Sequence, residues 1–375
     1  MLSQSSLVPS ALADGWPAPA VLVSRVVGED KVPSRRMLPP ADFHSKKSRN
    51  KDRNPQAAKV FSKSGCAKPG EEAWPDCNGR PVVFVRAGGV GDLIFIFPLI
   101  SEVKRRWPLS VVMISCSSRY HAVVASSMAD AILPHPLPEE YADADAVVVR
   151  LDGAIEKHVD AREANAVQIF ARHAGLTLAD EQPRFKPTAA QIALGRTLWP
   201  KRKSARLGVQ LSSSALCRDY PQPLLFDAMN MLLNDGWELY LFGYPGEVQT
   251  YPHPKVVNLC EQKLVLNESI AAITTCDAFM GPDSGLLHIA GAMGLPALGL
   301  YGPFPAKLRV SVFPLVDYLQ GQASCAPCFH HASVRKQWPK HGPCNASQRC
   351  EALARIKPSI IARKIREIHR RHFDA

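Results

Sequence analysis

The sequence predicts an α/β protein of two Rossmann-like halves facing one another across a cleft, behind a disordered N-terminal extension. Three observations predict it: an alternation of buried-type strand and helix that begins near residue 81, a restart of that alternation after a polar stretch near residues 180–187, and 80 leading residues with no sustained apolar period.

Residues 1–80 are rich in Pro, Ser, Lys and Arg, with a basic block from Lys46 to Arg53, a composition that cannot bury enough apolar surface to fold. They hold 13 basic and 8 acidic residues, so +5 of the net charge of +11 lies there and the remainder of the chain is only mildly basic. Charge alone is therefore a poor argument for nucleic acid, and no recognition motif or interleaved aromatic pattern supplements it. No run of 18 apolar residues occurs, and Leu7 to Val23 is interrupted by Pro9, Asp14, Pro17 and Pro19, so the expectation is a cytoplasmic protein without a signal peptide or membrane span.

The first half, residues 81–187, opens with a strand at 82–85, a glycine-rich turn at 88–92 and an apolar helix at 93–107 ended by Arg105, Arg106 and Pro108. Strands at 110–115 and 146–151 and a helix at 161–174 follow. The second half, residues 188–320, begins with a linking helix at 189–198. Strands are expected at 207–211, 238–242, 278–280 and 297–301, with helices at 223–234, 270–275 and 285–293. Residues 321–375 hold a four-cysteine segment and a basic helix from Pro358 to His372.

Three stretches follow strands and carry chemistry. Gly88-Gly89-Val90-Gly91-Asp92 lets backbone approach a ligand at a helix N-terminus. Its Gly-Gly-x-Gly spacing, with no acidic residue after the next strand, argues against a dinucleotide site. Asp92 reads either as a helix cap or as a general base. Gly281-Pro282-Asp283-Ser284-Gly285 leads into a helix bearing His288 and forms a ready cradle for a diphosphate. Asp283 and Ser284 are equally suited to capping, and His288 to core packing. Ser212-Ser213-Ser214 followed by Arg218 offers hydroxyls and a guanidinium, whose paired donors suit phosphate oxygens.

Taken together, Gly91-Asp92-Leu93 with Pro98, Arg218-Asp219-Tyr220-Pro221, and Asp283-Ser284-Gly285-Leu286-Leu287-His288 leading to Gly302-Pro303 resemble glycosyltransferase family 9, the ADP-heptose lipopolysaccharide heptosyltransferases and their relatives, over roughly residues 81–370. The resemblance implies a GT-B fold, with the first half binding acceptor and the second binding donor, and inversion at the anomeric carbon without a catalytic cofactor. By the same resemblance Asp92 is the catalytic base, while Arg218, Asp283, Ser284, Gly285 and His288 bind the donor; Gly91 and Ser212, from the loops that carry these residues, are further donor-binding candidates. Arg218 and Tyr220 stand where the family typically has Lys and Trp.

Cys325-x2-Cys328-x15-Cys344-x5-Cys350 fits a tetrahedral site for structural zinc or iron, leaving no open position for substrate. The cluster is similar to that of the bacterial autotransporter heptosyltransferases, a branch in which four cysteines hold iron. That likeness implies a protein acceptor, whereas the wider family implies a lipopolysaccharide core or another glycan. The expected partners are thus a nucleotide-sugar donor, an ADP-sugar first, and a glycan, lipid-linked or protein acceptor. The basic C-terminal helix reads either as a contact for an anionic membrane or as a solvated face. A non-catalytic nucleotide-sugar binding protein is the competing class, and the carboxylate of Asp92, of no evident use in holding a phosphate, argues against it.

Overall fold

The computed structural model describes residues 60–61, 74–142, 146–157, 162–199, 204–247, 251–329 and 349–373. The first half contributes β1 (Val60–Phe61), β2 (Pro81–Val85), β3 (Val111–Ser115), β4 (Ala131–Leu133) and β5 (Val147–Arg150), all parallel, in the order β1-β5-β2-β3-β4. Every residue of β2 is buried, which is why it reads as an unbroken apolar run: a parallel strand at the centre of a sheet is covered on both faces.

The second half contributes β6 (Arg206–Gln210), β7 (Glu238–Phe242), β8 (Val256–Asn258), β9 (Ala278–Pro282), β10 (Ala297–Tyr301) and β11 (Val316–Gln320). They form a parallel sheet in the order β8-β7-β6-β9-β10-β11. This is the doubly wound order 3-2-1-4-5-6, whose direction of growth reverses between β6 and β9. In the first sheet the reversal falls between β2 and β5. Such reversals open a crevice at the carboxyl ends of the two strands that flank them, and ligands bind there.

The sequence reading missed β4, β8 and β11. Residues Val256–Asn258 are only half-buried and β11 buries only Val316, so these outer strands lack the apolar run that marks the centre. The long helix expected at 93–107 is divided into Val90–Ile94 and Phe97–Arg106, with Pro98 in the first turn of the second piece, where its missing N–H costs no bond.

The expected extension also needs correction at two places. Val60–Phe61 pairs with β5, and the folded half reaches back to Trp74, whose indole N–H donates to the Ala174 carbonyl at 2.7 Å and whose ring stacks on Trp107 at 5.5 Å. These anchors are single long-range contacts with no local periodicity to announce them. The rest of residues 1–73 lies outside the described residues.

The halves meet where the helix Val90–Ile94 packs on the helix Gly285–Ala292, and one buried core runs through this contact. The Phe95 ring lies 4.8 Å from that of His288 and 6.0 Å from that of Phe313. The C-terminal helix Pro358–Phe373 lays Ile361, Ala362, Ile365 and Ile368 on the second half, beside the helix Gln222–Asn234. Its cations are engaged there: Arg366 with Asp235 at 2.6 Å, and Lys364 and Arg371 with Asp317 at 3.2 and 2.8 Å. Among the described residues, no helix is long and apolar enough to cross a membrane.

Candidate functional site

The first reversal is built around Arg86 at the end of β2. Its guanidinium donates to the Leu151 carbonyl, just past β5, at 2.8 Å and to Asp92 Oδ2 at 2.9 Å, tying the two strand ends together. Asp152 accepts the Ala87 N–H at 2.7 Å and closes the same seam. Asp92 Oδ2 also accepts the Gly89 N–H at 3.2 Å, so the capping reading holds; yet the Asp92 side chain keeps 28% of its surface in solvent, while that of Arg86 keeps 4%. Gly88 is glycine because of this carboxylate: a β-carbon there would fall 2.1 Å from Asp92 Oδ2. Its role is to make room for the acid, a different service from the ligand approach the motif suggests.

The second reversal is built around Asp283. Its side chain is 7% exposed and faces His288 Nε2 at 3.3 Å, Arg309 at 3.5 Å and Arg218 at 3.7 Å. Burial pushes its carboxyl up, and the Arg309 guanidinium, the His288 hydrogen bond and Arg218 outweigh that effect, holding it well below the ordinary value of 3.8. Asp283 is thus a buried anion that organises two arginines. Arg218 donates to Ser214 Oγ at 2.7 Å, and its Nε is buried without a hydrogen-bond partner.

Ser284 takes the N-cap position of the helix Gly285–Ala292 but makes no side-chain cap bond; its hydroxyl contacts Gln210 Oε1 at the end of β6 instead. The first amides of that helix are therefore left uncapped by this residue at the mouth of the crevice, where the helix end attracts anions. Ser213 and Asp219 bind one another at 2.8 Å and fix the loop before Arg218. Ser212 contacts Glu247 Oε1, and Glu247 Oε2 is buried without a partner beyond the end of β7, where doubly wound folds present an acid to a ribose.

Gly285 and Gly91 lie between the halves. A β-carbon on Gly285 would come within 2.6 Å of the Val90 Cβ, and one on Gly91 would touch the His288 ring at 3.7 Å. The turn that carries Asp92 therefore rests directly on the N-terminus of the Gly285 helix, and His288 is buried between the halves while bonded to Asp283. Tyr220 is also buried, with its hydroxyl on the Ile356 carbonyl, so Tyr at that position packs the C-terminal segment.

Sequence reasoning missed Arg86, Gln210, Glu247 and Arg309. Arg86 carried one legible signal, a charge placed directly after an apolar strand; the others depend on contacts with residues far along the chain. Of the four cysteines, Cys344 lies outside the described residues. Cys325 and Cys328 are half-buried and Cys350 is buried. Burial pushes the Cys350 thiol up, and Cys328 and Cys325 are close enough to add to that shift. Among the described residues, no group of three or more His, Cys, Asp or Glu has a metal-holding arrangement.

Two parallel-sheet halves with their reversals facing define a GT-B-type α/β protein. The family model for glycosyltransferase family 9 (heptosyltransferase) matches residues 149–339, and the chain belongs to that family. Lipooligosaccharide heptosyltransferase 2 of Haemophilus influenzae is 36% identical over 87 residues, which are 20% of this chain and 24% of that protein, so the match spans about a quarter of the relative.

Among solved structures, the family 9 glycosyltransferase of Veillonella parvula aligns with a TM-score of 0.61 at 13% identity, covering 77% of this chain and 97% of its own. The ADP-heptose lipopolysaccharide heptosyltransferase II of E. coli gives 0.59 at 14% identity, over 77% and 98%. The iron-containing dodecameric glycosyltransferase TibC of enterotoxigenic E. coli gives 0.57 at 16% identity, over 78% and 77%. At these identities the likeness is one of fold.

Proposed function

We propose that this protein is an inverting glycosyltransferase that moves a sugar, heptose from ADP-heptose first among candidates, onto a saccharide hydroxyl such as one of a lipopolysaccharide core. The observation that carries this reading is the seating of the Val90–Gly91 turn on Gly285 and His288, which sets the solvent-reaching carboxylate of Asp92 beside an uncapped helix N-terminus. In the reaction, the acceptor oxygen attacks the anomeric carbon from the face opposite the leaving group and its proton passes to Asp92. The anomeric C–O bond breaks, and its electrons leave with the nucleoside diphosphate. The amides at Gly285 and the unpartnered Nε of Arg218 would receive that diphosphate, and Glu247 Oε2 a ribose hydroxyl. The reading assigns donor positioning to Ser212, Asp283 and His288 through the groups they hold, and places the protein in the cytoplasm. Membrane contact through the C-terminal helix forms no part of it, since three of its cations already face carboxylates.

The test is calorimetric titration with ADP, GDP and UDP in parallel, followed by a transfer assay with the sugar of the preferred nucleotide. Selective ADP binding supports the heptosyl donor; selective GDP or UDP binding keeps the transferase and replaces its sugar. Binding of none of the three removes the donor site.

Cys325, Cys328, Cys344 and Cys350 would together hold a structural zinc or iron ion, a reading supported by their Cys-x2-Cys-x15-Cys-x5-Cys spacing and not by the three described thiols, which form no metal-holding group. Such an ion would hold the segment after β11 to the Gly302 turn, because a β-carbon on Gly302 would meet Cys350 Sγ at 2.6 Å. Elemental analysis of the purified protein should find about one ion per chain, lost in a Cys350→Ser variant.

A further inference from the structure

A cavity of about 800 Å³ lies away from both reversals, bounded by the linking helix Ala189–Leu198 and by residues 273–276 and 293–295. Arg206, which lines it, opens β6, and Cys276 and Leu295 stand just before β9 and β10. The cavity therefore sits at the amino ends of these strands, whereas the crevice around Asp283 lies at their carboxyl ends. Its volume falls within the ~300–1,000 Å³ of pockets that take a whole small molecule.

The lining divides cleanly. Ile192, Trp199, Ile273, Met293 and Leu295 supply apolar walls, mostly aliphatic. The charged lining residues are Arg196 and Arg206, and no acidic side chain lines the cavity among the described residues. Arg206 is buried, with 4% of its side chain exposed, and its guanidinium lies 4.1 Å over the Tyr240 ring, 3.4 Å from the Thr275 carbonyl and 3.5 Å from Glu238. Those contacts fix the plane of the guanidinium, which offers five N–H donors in a rigid fork. Arg196 stands exposed on the linking helix. Aliphatic walls below two guanidinium groups match a ligand with an aliphatic body and an anionic head.

The linking helix is also where the halves are tied. Gln191, one position before Ile192, is buried; its amide donates to the Ala122 carbonyl of the first half at 3.2 Å and to Asn267 of the second at 3.0 Å, and its oxygen accepts from Ser126 at 3.3 Å. Gly195 brings the helix onto the backbone of Leu266–Ile273, where a β-carbon would fall 2.4 Å from the Ala271 carbonyl oxygen. A molecule seated against Ile192 and Trp199 thus bears on the helix that joins the two halves.

We propose that this cavity is an effector site for an acyl anion, an aliphatic chain ending in a carboxylate or phosphate, and that the bound chain stiffens the linking helix. The chain lies along the apolar walls and the head meets Arg196 and Arg206. The site is separate from the proposed donor and acceptor crevice and does not depend on the transferase reading.

The test uses the full-length protein titrated with decanoate, decyl phosphate and decanol, each below its micelle concentration, by ligand-observed NMR, for the native chain, Arg196→Gln and Ile192→Trp. At least one acid should bind about tenfold or more tightly than decanol, the factor of one charge-assisted contact. Arg196→Gln should lose most of that preference, and Ile192→Trp, whose indole fills the apolar wall, should bind none of the three. The stronger acid tells carboxylate from phosphate. Hydrogen exchange of the amides from 192 to 199 should slow when the acid binds, and ADP affinity should be the same in all three chains. Equal binding of acid and alcohol, a preference that survives Arg196→Gln, or no binding of either acid would each overturn the site; unchanged exchange would overturn the stiffening. Should Ile192→Trp fail to fold, Arg196→Gln on its exposed position decides by itself. Failure of the native chain to bind ADP would remove the transferase reading and leave the acyl result standing.

Discussion

The two reversals use the same pair of residue types with the roles exchanged. In the first half Arg86 is buried and Asp92 reaches solvent; in the second half Asp283 is buried while Arg218 and Arg309 keep 18% and 17% of their side-chain surface. A buried charge has to be paired, so each hidden member fixes the orientation of its visible partner. The outcome is an accessible carboxylate on one side and accessible guanidinium groups on the other. Those are the polarities that proton removal and diphosphate departure require.

The largest expected effect breaks the first half of this pairing. Asp92→Asn keeps the shape and the contact with Arg86 but removes the proton acceptor, and should lower turnover by about 10²–10⁴-fold with ADP affinity nearly unchanged. Normal turnover in a coupled ADP-release assay would end the base assignment.

Asp283→Asn attacks the second half. With its anion gone, Arg218 and Arg309 lose their common anchor, and donor affinity should fall about tenfold or more, with a smaller effect on turnover at saturation. A carboxyl held below its ordinary value contributes stability above that value and loses it as pH falls, so the native chain should weaken below about pH 4 more steeply than the variant. Parallel acid titrations followed by circular dichroism would show it; identical curves would mean that the arginines do not stabilise the carboxylate.

Gly285→Ala tests how closely the two reversals are held together. Its methyl would overlap Val90, at an expected cost of about 1–3 kcal/mol, and Val90→Gly in the same chain, which removes the Cβ at 2.6 Å, should cost less than the sum of the two single losses in urea denaturation. Additive losses would show that the contact between the halves is looser than the 2.6 Å approach implies.

The smallest effect lies away from both reversals. The Arg105 hydrogen bond leads in lowering the Glu102 carboxyl from 4.5 to about 2, aided by Arg106 and the Ala179 N–H against the opposing effect of burial. Glu102→Gln should cost about 1–2 kcal/mol at neutral pH, allowing for the exposure of both arginines, and the difference should vanish as pH falls from about 4.5 toward 2. Turnover should stay as in the native chain, and a loss of activity would place this helix end in the catalytic machinery.

Much of this arrangement was legible in the chain. The buried runs of β2, β6, β7, β9 and β10 are visible because a central parallel strand must be apolar on both faces, whereas β4, β8 and β11 are hidden by the half-exposed pattern of outer strands. Asp92, Arg218 and Asp283 were recognisable from the loops that carry them. Which of them would be buried was not, because Asp and Arg look the same in sequence whether they support or reach.

The sequence by itself determined two α/β halves, their glycine-rich turns and the acidic and basic residues placed after central strands, because period and turn chemistry are local properties. Only the tertiary structure decided that Gly88 yields space to a carboxylate and Gly285 to a valine of the other half, that Arg309 shares Asp283 with Arg218, and that the Arg162 guanidinium lies over the Phe329 ring. The physical reason is that exposure and pairing of a charge depend on what packs against it, and here the packing partners lie far along the chain, 195 positions apart for Val90 and Gly285.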